Sequence, residues 1–129
     1  MRFHYDILPD RRLIIVRFRG AVGLQEILAG VRRLWADPRY QPEFDGVADF
    51  DAATTTAGLP DVRSLLQFLQ HAKTSRGRWA VIFNEPKAIT LGLLFKAAST
   101  LPLHLEVVSN WTAASAHLRQ DIPADLQRN

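Results

Sequence analysis

Two aspartates stand two residues apart, Asp49 and Asp51, where a short apolar run through Val47 and Ala48 meets a polar stretch. Alternate residues of an extended chain point to the same side. The two carboxylates could therefore share a magnesium ion or accept a proton. The competing role is to open a loop and accept hydrogen bonds from its backbone amides. Next come Thr54, Thr55 and Thr56, followed by Gly58. Their hydroxyls could take a phosphoryl group or meet a ligand, or serve in a turn or as a cap for the next helix. Asp49, Asp51, Thr54, Thr55, Thr56 and Gly58 thus form the candidate loop for a partner or ligand. The three threonines are its candidate phosphoacceptors. A second polar junction, Asn84, Glu85, Pro86 and Lys87, stands before another apolar stretch. A helix start there would attract anions, but Glu85 would repel them, so helix capping accounts for the four.

Other reactive residues form no recognisable set. His4, His71, His104 and His117 are too widely separated for a helical metal motif, and no metal site is expected. No Gly-x-Ser-x-Gly elbow or phosphate loop occurs. The chain has no cysteine, which rules out disulfides, thiolate metal ligands and thiol nucleophiles. The expectation is a protein without catalytic residues or cofactor.

The elements that must position the candidate loop follow from periodicity. Phe3, Tyr5 and Ile7 alternate with polar residues, which predicts a strand with one buried face. Residues 13–19 predict a second strand, ended by Gly20. Its faces are Ile14, Val16 and Phe18 on one side, and Leu13, Ile15, Arg17 and Arg19 on the other. Leu24, Ile27, Leu28, Val31, Leu34 and Trp35 make a helical stripe that stops before Pro38. Residues 47–50 predict a short strand leading into a polar loop at 51–58. Pro60 then starts a helix with Val62, Leu65, Leu66 and Leu69 inward. Residues 79–83 form a continuous apolar run, as in a strand buried on both faces. A third helix carries Leu91, Leu94 and Phe95. A last strand spans 103–108, and Asn110 caps a final helix with Trp111, Ala114 and Leu118. The order β-β-α-β-α-β-α-β-α implies one α/β domain with a five-stranded, mostly parallel mixed sheet, its first strand an antiparallel edge. The domain is expected over residues 1–118, with a polar, frayed tail at 119–129.

At 129 residues, 47% hydrophobic and 22% charged, the chain fits one domain with a core of its own. Its formal charge of +3 is small, and Arg11-Arg12 and Arg76-Gly77-Arg78 fall in predicted turns. No clustered basic face for nucleic acid emerges. No apolar stretch is long enough to span a membrane, and the first residues lack a leader's apolar run. A cytoplasmic location is expected. Leu13 and Ile15, if exposed, would suit a homodimer.

The opening residues 3–6, the strand at 13–20, the helix end at 35–39, and the strands at 46–50, 79–83 and 105–108 together resemble the SpoIIAA-like, or STAS-like, proteins of bacteria. The resemblance covers roughly residues 2–118. It implies a five-stranded mixed sheet with helices mainly on one side. Family members act as anti-sigma-factor antagonists, switched by phosphorylation of the serine in an Asp-Ser-x-Gly motif. The matching segment here, residues 49–58, contains no serine; Thr54, Thr55 and Thr56 stand there instead. The leading expectation is a non-enzymatic regulatory or protein-interaction module in bacterial signalling, with another protein as partner. The alternative follows from the related Sec14-type fold: a carrier of a small apolar ligand or lipid. Its third helix would then be the cavity wall, and a well-packed interior with no pocket above about 300 Å³ would argue against a carrier.

Overall fold

The computed structural model describes residues 2–127. The outermost residues of the expected domain and tail, at 1, 128 and 129, lie outside the described residues. Strand β1 (Arg2–Leu8) turns back through Pro9–Arg11 into β2 (Leu13–Val22), with Arg12 in the left-handed region at φ 51°. The two pair antiparallel, Phe3 opposite Phe18 and Tyr5 opposite Val16. Helix α1 (Leu24–Ala36) ends at Asp37, whose backbone is extended ahead of Pro38. Then follow β3 (Asp45–Asp49), β4 (Ala53–Thr55), α2 (Leu59–Phe68), β5 (Arg78–Ile82), α3 (Pro86–Ala98), β6 (His104–Val108) and α4 (Trp111–Leu118). The main sheet runs β1-β2-β3-β5-β6, parallel from β2 onward. The fold is therefore α/β with a mixed, mostly parallel sheet.

The sheet has six strands rather than five. Strand β2 does not end at Gly20. The glycine takes φ 77°, which only a residue without a Cβ adopts at little cost. The chain bends there and continues to Val22, pairing in parallel with β4 through Gly20–Ala53, Ala21–Thr54 and Val22–Thr55. The stretch expected as a polar loop at 51–58 thus holds a short strand.

The two faces of the sheet are covered differently. Helices α1, α2 and α3 lie over the face that carries Val16, Phe18, Ala48 and Val81. Helix α4 covers the other, where Leu13, Ile15, Val47, Ala80 and Ile82 meet Ala114 and Leu118. Leu13 and Ile15 are 0% exposed. The motive for a homodimer through them is removed, because α4 and the following segment occupy that surface. Two of that segment's apolar side chains pack back on the domain. Ile122 is buried and Leu126 packs on the same cluster. Arg17 donates to the Leu126 carbonyl, pinning the segment across the early hairpin.

Candidate functional site

Asp49 ends β3 on the α4 face, opposite Arg17 in the neighbouring parallel strand. It is 7% exposed, and its Oδ1 accepts the Asp51 amide at 2.9 Å. This is the loop-opening role. Burial pushes the Asp49 carboxyl above its ordinary range, partly offset by that hydrogen bond and by Arg17. Asp51 points away into solvent, where it accepts a hydrogen bond from Asn84 Nδ2. The two carboxylates therefore have separate partners. Among the described residues no group of three or more His, Cys, Asp or Glu is placed to hold a metal.

The threonines have three different environments. Thr54 is exposed on β4. The Thr55 amide donates to Glu85 Oε1 at 3.0 Å, and its hydroxyl accepts the Ala57 amide at 3.2 Å. The exposed Thr56 donates its amide to the Val22 carbonyl at 2.9 Å, closing the β2–β4 pairing. Gly58 precedes α2, and its amide donates to Asp61 Oδ2 at 2.7 Å, the reach-back half of a capping box. At the second junction neither Asn84 nor Glu85 caps α3 with its side chain. Both reach across instead, Asn84 to Asp51 and Glu85 to Thr55, tying the α3 start to the β3–β4 segment.

Those ties frame a cavity of about 240 Å³ between the sheet and helices α1, α2 and α3. Its floor is an aromatic row. Phe3 meets Phe18 at 4.9 Å between ring centroids, Phe18 stacks on Phe50 at 4.8 Å, and Phe50 meets Phe83 at 4.9 Å. Val62, Leu65 and Leu69 of the α2 segment form its roof, and Ala88, Leu91 and Phe95 of α3 a wall. Glycines let the helices come close: a Cβ on Gly30 would stand 2.8 Å from the Phe3 ring, and one on Gly92 2.7 Å from the Phe83 ring. Leu94, expected in the wall, faces outward at 42% exposure.

The hollow is evident in the burial of the sheet. On β5, Ala80 and Ile82 under α4 are buried, whereas Val81 on the cavity side is only partly so. No residue of α2 is fully buried. At its far end Phe68 stacks on Trp35 of α1 at 5.3 Å.

The sequence reading missed Phe18, Phe50 and Phe83 as a set, along with Asp61 and the cross-link made by Glu85. The available signal was positional: each phenylalanine stands near a strand's carboxyl end, where open α/β sheets bind ligands. No helix among the described residues is long and apolar enough to cross a membrane. Comparison with the sequence models of known protein families and with curated proteins finds no match.

Proposed function

We propose that the protein binds a small apolar molecule under α1, α2 and α3, as a carrier or ligand-responsive module without enzymatic activity. The observation that carries this reading is the apolar cavity of about 240 Å³ behind a helix with no buried residue. Its size lies below the roughly 300 Å³ expected of a carrier of drug-sized ligands, which restricts the reading to smaller molecules. It exceeds the roughly 150 Å³ apolar cavity that takes up benzene. A single medium chain or a fused ring pair fits these limits; a two-chain lipid does not. The resemblance of the sequence to SpoIIAA-like proteins, and through them to the lipid-binding Sec14-type fold, lends the reading an analogy alone. Titration with N-phenyl-1-naphthylamine, a neutral apolar fluorophore, tests it. The expected result is saturable fluorescence at one probe per chain. A linear, unsaturable signal overturns the proposal.

A second reading is a protein-interaction module in the bacterial cytoplasm. It draws support from the exposed Thr54 and Thr56 and from Leu59, 64% exposed just beyond them. Native mass spectrometry of protein purified gently from its host separates the two. Added phosphate or a partner chain favours the module, and a small-molecule adduct favours the carrier.

A further inference from the structure

We infer that the cavity selects apolar molecules bearing a hydrogen-bond-donating head, a hydroxyl or an amine, and rejects carboxylates of equal length. This rests on the cavity being a ligand site. Its polar lining is gathered at one end, where β4 and the starts of α2 and α3 meet: Thr55, Asp61 and Glu85. Among the described residues no arginine, lysine or histidine lines it. The one indole N–H of the lining, from Trp79, is already given to Ser75 Oγ at 2.6 Å. Both carboxylates are held in position, Glu85 by the Thr55 amide at 3.0 Å and Asp61 by the Gly58 amide at 2.7 Å. Each uses one oxygen in that bond and carries a second with lone pairs of its own. At the other end of the strands Leu69, Phe95 and Leu103 offer hydrocarbon alone. A ligand with an apolar body and a donor head therefore has one favoured orientation. An ionised acid head would meet two carboxylates of like charge and no cation.

Eight-carbon ligands, single medium chains that differ only in the head group, are the probes. The experiment is displacement of N-phenyl-1-naphthylamine by 1-octanol, octylamine and octanoate at pH 7.5. The alcohol and the amine should displace the probe at concentrations at least tenfold lower than the acid. Glu85→Gln and Asp61→Asn keep an oxygen acceptor for the Thr55 and Gly58 amides, and should narrow the gap between amine and acid several-fold. Octanoate displacing as well as octanol overturns the inference while leaving the cavity a ligand site. An unchanged amine-to-acid ratio in both variants overturns the role given to these carboxylates. Failure of the probe itself to bind overturns the cavity reading, and this one with it.

Discussion

Arg17 and Asp49 show how a pair of charges can be structural. Both are nearly inaccessible, on the face opposite the cavity. The Arg17 guanidinium reaches Asp6 at 3.5 Å and the Leu126 carbonyl, and lies 5.9 Å from the Trp111 ring. Its Nε has no partner. Loss of hydration outweighs these neighbours at Asp49, and its carboxyl is raised above the ordinary 3.8. A raised carboxyl favours folding while it is protonated in both states, below about 3.8, and that contribution fades as pH rises through the folded value. Asp49→Asn keeps an oxygen for the Asp51 amide and removes the charge. The variant should match or exceed the wild type in stability at pH 7, with the two converging below pH 3.8. Urea melts at both pH values check this. A variant clearly weaker at pH 7 would mean that attraction to Arg17 outweighs the burial of Asp49.

Among the elements, those with strong periodicity were legible. The apolar stripe of α1, the alternation in β1 and the Asn110 cap of α4, bonded to the Ala113 amide at 2.8 Å, follow from residue type and spacing. Strand β4 was not legible, because three residues carry no period and its pairing depends on a bend at Gly20, distant in sequence. The cavity was hidden for a different reason. Periodicity says which way Val62, Leu65 and Leu91 point, not how far their helices stand from the sheet. That distance is set by the rings of Phe18 on β2, and of Phe50 and Phe83 just beyond β3 and β5, and by the stack of Phe68 on Trp35. Two substitutions follow. Val81→Phe adds volume at the centre of the floor and should weaken uptake of N-phenyl-1-naphthylamine at least tenfold while leaving the melting temperature unchanged or higher, since filling a void restores lost contacts. Phe68→Ala removes the stack on Trp35 and should speed probe release, measured by stopped-flow. Equal release rates for Phe68→Ala and wild type would mean that α2 is not the moving wall.

The molecule as a whole divides its labour between the two faces of one sheet. Under α4 and residues 119–127 the side chains close on one another, with Leu13, Ile15, Val47 and Ala80 at 0% exposure. Under α1, α2 and α3 the same strands present rings and branched side chains to a hollow. Stability and binding should accordingly respond to different residues. Ile122 is 5% exposed, within the cluster formed with α4, and is not one of the residues that line the cavity. Ile122→Ala should cost about 2–5 kcal/mol, the usual toll of truncating a buried isoleucine. In a denaturant titration that appears as a lower midpoint with an unchanged slope. Probe affinity of the fraction still folded should stay within twofold of the wild type, because sites without shared partners act nearly independently. Val81→Phe should do the reverse, losing probe and keeping stability. If Ile122→Ala instead loosens probe binding in proportion to its loss of stability, the two faces are coupled through the sheet, and the hollow is held open by the packing of the closed side.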